Sequence, residues 1–266
     1  MARPTSVIAD PWSPLRDATS ARIALGRAGG SLPTGEWLKF KSAHAAARDA
    51  VHNEFDAESI AAEIRTLGVH ALIVDSGASD RQVYLQRPDL GRQLSSQSEL
   101  TLRQIAGPES GTELVICVSD GLSALATHRQ APALLAELLP RLSAAGFRLA
   151  PLIIARYGRV ALQDHVGELV GAQLALMLLG ERPGLGSPDS LGAYLVHAPQ
   201  RGNTDARRNC VSNIRPEGLP PAIAAETIAH LLIEARRRKI SGVHLKDERA
   251  IATFETKTIT AVQNYG

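Results

Sequence analysis

The segment best suited to contact a ligand is GERPGLG at residues 180–186. Glycine lets the backbone approach a ligand closely, and the carboxylate of Glu181 and the guanidinium of Arg182 are strong hydrogen-bonding groups. The same residues are equally typical of a surface turn closed by an internal Glu–Arg ion pair. The segment therefore predicts a pocket without identifying its ligand, and the surface turn remains the alternative.

The short motifs of common enzyme classes are weak or absent. Residues 121–125 resemble the G-x-S-x-G elbow of serine hydrolases but lack its second glycine, and residues 184–189 break the G-x-G-x-x-G spacing of dinucleotide sites. No Walker A, C-x-x-C or H-E-x-x-H sequence occurs. Asp164, His165 and Glu168 are expected on a solvated helix face rather than at a metal. The turn at residues 119–123 fits either a phosphate at a helix N-terminus or an ordinary capped turn.

Short apolar runs alternate with segments of helical period from residue 69 onward, as in βαβ units. The runs are apolar at consecutive positions, which is typical of strands covered on both faces, so we expect a mostly parallel sheet. Strands are predicted at 69–74, 113–118, 148–155, 173–179 and 193–197, and helices at 88–105, 134–142, 162–170 and 223–236.

Ligands of such sheets bind beyond the carboxyl ends of the strands. Three segments follow predicted strands, at residues 119–121, 156–160 and 180–184. A fourth segment, residues 201–213, is polar and contains Cys210, and we interpret it as a long loop. These segments are the predicted ligand-facing side of the protein.

The first quarter of the chain has helical periodicity. Trp37, Phe40 and Val51 fall at helix spacing, and a second pattern follows Asp56, a candidate N-cap. His44 shares the first stripe, which predicts a packed or interface histidine. The predicted fold class is therefore α/β: a Rossmann-like, mostly parallel, doubly wound sheet in residues 67–266, preceded by a small helical domain in residues 1–66. Residues 246–266 show no clear period, so no element is predicted there.

Composition excludes several function classes. The 29 basic and 27 acidic side chains give a net charge of +2, too small to draw the chain to nucleic acid or anionic lipid. No stretch reaches the roughly 18 to 20 apolar residues of a membrane-spanning helix, and no secretory signal is evident. Only two cysteines, Cys117 and Cys210, occur. We expect a cytoplasmic protein without a disulfide framework.

Six blocks of sequence resemble the small subunit of ethanolamine ammonia-lyase, in the order and approximate spacing of that family. The resemblance covers most of the chain, from about Leu15 to Leu245. The blocks are ARIALGRAGG (21–30), YLQRPDLGR (84–92), SDGLS (119–123), RYGRV (156–160), GERPGLG (180–186) and NCVSNI (209–214).

The resemblance implies a subunit of an adenosylcobalamin (coenzyme B12) enzyme that converts ethanolamine to acetaldehyde and ammonia by a radical route. It implies a hetero-oligomer with a barrel-type large subunit, which carries the substrate site, and a location in the cytoplasm or inside a bacterial microcompartment. Three cobalamin contacts carry over, Val160, Glu181 and Cys210, with no catalytic or metal-binding residue in this chain. The alternatives are an assembly module that only stabilises the large subunit and a free-standing nucleotide-binding enzyme.

Overall fold

A computed structural model describes residues 7–105 and 111–247 of the 266-residue chain. Its centre is a mixed six-stranded sheet in the order β3-β5-β4-β6-β7-β8. The first four strands in this order are parallel, while β7 is antiparallel to both of its neighbours. The strands are β3 (Ala71–Asp75), β4 (Leu114–Ser119), β5 (Leu152–Arg156), β6 (Leu174–Gly180), β7 (Leu191–His197) and β8 (Arg208–Ile214).

Helices cover both faces of this sheet. The α/β class is confirmed, and the five predicted strands correspond to β3, β4, β5, β6 and β7. A Rossmann-like classification stays a prediction. Two short strands, β1 (Val7–Ile8) and β2 (Arg27–Ala28), form a separate antiparallel ribbon. The helices are α1 (Thr34–His52), α2 (Ala57–Thr66), α3 (Arg81–Gln86), α4 (Ser96–Ile105), α5 (Ala124–Ala144), α6 (Leu162–Val170) and α7 (Pro221–Arg238).

Alternate side chains of the central strands enter two separate hydrophobic clusters. Along β4, Ile116 and Val118 pack with α2, α5 and α7, whereas Val115 and Cys117 pack with α4 and α6. All six residues of β4 are buried because helices cover both faces. This explains why its sequence is apolar at successive positions rather than at alternate ones.

The N-terminal helices differ in how they are held. Asp56 caps α2, as predicted, by accepting a hydrogen bond from the backbone N–H of Ser59 at 2.9 Å. The helix contributes Ile60 and Ile64 to the hydrophobic cluster that contains Ile116 and Val118. By contrast, Ala50 is the only buried residue of α1. His44 is exposed and stacks on Phe40, so it does not pack in the core of this chain, and its place at an interface stays a prediction. A boundary near residue 66 stays a prediction.

The helix predicted at residues 88–105 is wrong in its first half. A single 3-10 turn occupies Leu90–Arg92, and α4 begins only at Ser96. The intervening backbone is used in tertiary contacts: Ser76 and Leu94 form an isolated antiparallel bridge, and the N–H of Leu94 donates to His165. These partners lie outside the local sequence, so helical periodicity could not reveal them.

No helix within the described residues is both long and apolar enough to cross a membrane. The tail for which no element was predicted lies, from residue 248 onward, outside the described residues.

Candidate functional site

The carboxyl ends of β4 and β5 lie side by side at one edge of the sheet. The helices that follow them pack on opposite faces, α5 with the first cluster and α6 with the second. Adjacent parallel strands whose connections diverge in this way leave a crevice between them. The two segments that enter this crevice are the predicted ones, residues 119–121 and 156–160.

Asp120 fastens the two strand ends together. Its carboxylate, almost fully buried, accepts hydrogen bonds from Arg81 Nη1 at 2.7 Å and from the backbone N–H of Tyr157 at 2.8 Å. Burial raises the pKa of Asp120 to about 6, although both of these donors favour the charged form. Arg81 also donates to the carbonyl of Val51 and so ties the end of α1 to the crevice.

The turn after β4 has the geometry of a capped turn. The side chain of Ser123 accepts from the N–H of Ala126 at 3.1 Å and caps α5. The N–H of Leu122 donates to the carbonyl of Gly180, and that of Ser123 donates to Asp120. These N–H groups are engaged within the protein, as in an ordinary capped turn, and the phosphate alternative for residues 119–123 stays a prediction.

Val160 lies between β5 and α6, as expected for a residue that follows a strand. It is half-buried and packs against the hydrophobic cluster that contains Val115 and Cys117. Its remaining surface lines a cleft of about 440 Å³ that also contains Arg92, Arg159, Asp205 and Arg208. Val160 therefore offers an apolar contact at the rim of a charged cleft.

Glu181 directly follows β6. Its carboxylate accepts a hydrogen bond from the Ser190 hydroxyl at 2.5 Å and a longer one, 3.3 Å, from the backbone N–H of Asn213. Within the described part of the chain Glu181 forms no ion pair, and Arg182 is exposed. The predicted alternative of an internal Glu181–Arg182 pair is therefore wrong.

Cys210 lies in β8, so the interpretation of residues 201–213 as a long loop is wrong from Arg208 onward. This segment is an edge strand with one face packed against the α7 side of the sheet, and a register shift opposite Leu191–Ala193 disturbs its alternation. Buried residues consequently recur at every third position, 208, 211 and 214. That spacing and the polar residues between them conceal the strand in the sequence.

Tyr194 connects two of the three predicted contacts. It is the direct cross-strand partner of Cys210, and the two side chains are close enough that each shifts the pKa of the other. A Cβ atom added to Gly192 would lie 3.0 Å from Glu181 Oε1 and 3.1 Å from Tyr194 Cε2, so Glu181 and Tyr194 flank this glycine. Burial raises the pKa of Tyr194, and the charges of Cys210, Glu181 and Asp205 act in the same direction.

Val160 lies on the same face of the sheet as this group, because it and Tyr194 pack against one hydrophobic cluster. The structure thus brings Glu181 and Cys210 together around Tyr194 and leaves Val160 at the neighbouring cleft. Tyr194 is the residue that the sequence reasoning missed. The available signal was its place in the predicted strand 193–197, but without the register of β7 and β8 its partner could not be known.

The predicted solvated face of α6 is only partly correct. Glu168 is exposed, but Asp164 is only 1% exposed and forms a buried ion pair with Arg208 on β8. His165 is also buried, and its Nδ1 accepts the N–H of Leu94 at 3.1 Å. The sequence could not show this, since Arg208 lies 44 positions away. Within the described residues no group of three or more His, Cys, Asp or Glu side chains could hold a metal ion.

These features define the class of the protein: an α/β chain with a mixed six-stranded sheet and a candidate ligand surface running from its carboxyl edge to the open face of β7 and β8. The family described as ethanolamine ammonia-lyase light chain (EutC) matches residues 9–246. This chain belongs to that family.

Relatives named "Ethanolamine ammonia-lyase small subunit" agree along nearly their whole length. One from Pseudomonas putida is 52% identical over 249 residues, 93% of this chain and 92% of the relative. One from Azotobacter vinelandii is 53% identical over 247 residues, 92% of each chain. One from Xanthomonas campestris pv. campestris is 50% identical over 268 residues, 100% of this chain and 98% of the relative.

Proposed function

We propose that this chain is the small subunit of an adenosylcobalamin-dependent ethanolamine ammonia-lyase and that it holds the cofactor against the large subunit. The observation that carries the proposal is the grouping of Glu181 and Cys210 around Tyr194, on the same sheet face as Val160. Val160 and Cys210, which were chosen by resemblance to the family and are 50 positions apart in the sequence, lie on one surface. The family names of the relatives support the assignment to the enzyme.

The residues present suit a corrinoid. A corrin ring has apolar faces and neutral amide side chains at its periphery, so it needs apolar packing together with hydrogen-bond acceptors. Val160 supplies the first at the rim of its cleft. Glu181 supplies the second, because a carboxylate has about four acceptor positions and the described contacts of Glu181 come from only two groups, Ser190 and Asn213.

Each residue then has a defined role. When bound, adenosylcobalamin supplies radical chemistry through its cobalt–carbon bond. Glu181, held by Ser190, accepts an amide N–H and thereby orients the ring. Val160 excludes water from the ring face, and the exposed side chain of Cys210 contacts a peripheral amide. Substrate chemistry belongs to the large subunit, either free in the cytoplasm or within a microcompartment.

A second candidate function, that of an assembly module, is favoured by one observation. Within residues 7–38 seven large apolar side chains are exposed, and exposed apolar side chains are suited to contact with a protein partner. They are Val7, Ile8, Trp12, Leu15, Leu32, Trp37 and Leu38. In this alternative the chain stabilises the large subunit but contributes nothing to cofactor affinity.

Titration of adenosylcobalamin tests both functions. The purified chain, the large subunit and their mixture are titrated in parallel, and ethanolamine turnover is measured for each. We expect strong binding and turnover only in the mixture. Binding of equal strength by the large subunit alone would support the assembly module, and turnover by this chain alone would support a free-standing enzyme.

A further inference from the structure

The cleft beside Val160 is unusually basic. Among the described residues, its 440 Å³ are lined by three arginines, Arg92, Arg159 and Arg208, and by a single carboxylate, Asp205. The three arginines come from separate parts of the chain: a turn after α3, the segment after β5, and β8. The first two are joined directly, because the N–H of Arg159 donates to the carbonyl of Gly91 at 2.7 Å.

The positive charge of Arg208 is already balanced by carboxylates of the protein. Arg208 pairs with Asp164, and its Nη1 lies 2.6 Å from Asp205 Oδ1. The one carboxylate that lines the cleft is therefore engaged with Arg208. The positive charges of Arg92 and Arg159 are not balanced by an ion pair within the described residues.

Arg159 is held in a fixed position. Its guanidinium lies over the ring of Tyr84 at 4.1 Å, and its Nη2 donates to the carbonyl of Tyr84 at 3.0 Å. Its Nε is buried and has no hydrogen-bond partner in the described part of the chain. A buried donor of a charged group without a partner is costly, so an acceptor beside Arg159 would stabilise this arrangement. Arg92, by contrast, is exposed at the rim.

We propose that Arg92 and Arg159 bind a phosphodiester, namely that of the nucleotide loop of cobalamin, next to the corrin ring on Val160. This inference rests on the proposed function. The phosphodiester is the anionic group of cobalamin, whereas its corrin amides are neutral and suit Glu181. A planar guanidinium matches the geometry of phosphate oxygens, and two of them give a charge-assisted contact.

The test compares two corrinoids on the assembled two-subunit enzyme. Cyanocobalamin carries the phosphodiester, and cobinamide lacks the nucleotide loop. Dissociation constants are measured by absorbance titration for wild type, Arg92→Gln, Arg159→Lys and the control Arg237→Gln, whose arginine pairs with Glu234 on α7. Arg92→Gln should weaken cyanocobalamin binding by about tenfold and leave cobinamide binding within about twofold of wild type. Arg159→Lys should have the same selective effect, and Arg237→Gln should change neither ligand.

Several outcomes would overturn the inference. The phosphodiester contact would be excluded if the Arg92→Gln enzyme bound cyanocobalamin as tightly as wild type. It would also be excluded if this variant lost affinity equally for both corrinoids. Because Arg92 is exposed, a folding defect is not expected to obscure this result. If inorganic phosphate binds with an affinity that depends on Arg92, while the difference between the two corrinoids does not, the cleft binds free phosphate instead. Should Glu181→Gln weaken both corrinoids while Arg92→Gln weakens neither, the proposed function stands and this inference fails.

Discussion

Tyr194 and Cys210 face each other directly across β7 and β8, and each side chain shifts the pKa of the other. Partial burial raises the pKa of the Cys210 thiol, the hydrogen bond from Tyr194 lowers it, and the charge of Glu181 raises it. The rate at which Cys210 reacts with a thiol reagent depends on its thiolate fraction. This rate is therefore sensitive to Tyr194 and Glu181, its neighbours on the candidate cofactor surface.

Tyr194→Phe should make Cys210 less reactive. The hydroxyl donates to the thiolate, so its removal should raise the apparent pKa of Cys210 and slow alkylation near pH 8 by about threefold to tenfold. The measurement is the pH–rate profile of iodoacetamide labelling, with the site identified by mass spectrometry. Cys117 is fully buried and should remain unlabelled in the folded protein. An unchanged profile would show that the hydroxyl does not contact the sulfur in solution.

Glu181→Gln should weaken cobalamin binding by the assembled enzyme about tenfold to a hundredfold, the effect of losing a hydrogen bond to a charged acceptor. Glu234→Gln is the matched control, since Glu234 pairs with Arg237 on α7, which covers the opposite face of the sheet. Asp164→Asn is unsuitable as a control because it would break the buried pair with Arg208. Thermal melting of each variant separates affinity from stability. Equal affinities for Glu181→Gln and Glu234→Gln would exclude Glu181 from the site.

Gly180→Ala should lower the free energy of unfolding by about 1 to 3 kcal/mol, the usual cost of overpacking. A Cβ atom at this position would lie 2.7 Å from the carbonyl oxygen of Asp120 and would also contact the carbonyl of Ser123, so the turn after β4 would have to move. Gly186→Ala, in the same glycine-rich segment, is the control because no atom of the described residues lies within 4 Å of its added Cβ. Denaturant titration measures both, and similar losses would contradict the packing role of Gly180.

The stability of the fold should decrease in acid through His165. Burial, followed by the charge of Arg201, lowers its pKa below the ordinary 6.5, and Arg103 acts in the same direction. The carboxylates of Glu99, 3.5 Å from Nε2, and Glu168 oppose this shift only in part. A depressed folded-state pKa means that the stabilisation is complete above 6.5 and is lost as the pH falls through the folded-state value.

His165→Asn should reduce this part of the pH dependence, because the Asn side-chain oxygen still offers an acceptor to the N–H of Leu94 but does not titrate. The check is denaturant unfolding of wild type and variant between pH 7.5 and pH 5. Parallel losses in the two proteins would assign the acid sensitivity to other groups.

Local patterns in the sequence determined much of the central layer. The apolar run of β6 and the period of α6 were both readable, and α6 spans the predicted residues 162–170. Both elements can be predicted from residues close together in the sequence. A strand covered on both faces must be apolar throughout, and a helix packed on the sheet repeats its apolar side chains every three to four positions. The resemblance of six blocks was sufficient to identify the family, which the comparisons confirm.

Tertiary structure alone decided which residues meet. Cys210 became a strand residue because β8 pairs with β7 at the edge of the sheet, and a register shift hid its alternation. Asp164 became buried because Arg208, on another element, neutralises it. Arg92 and Arg159 line one cleft although they lie on distant segments, which are joined by the hydrogen bond from the N–H of Arg159 to Gly91. Register, ion pairing and close backbone approach depend on residues far apart in the chain, so no local periodicity encodes them.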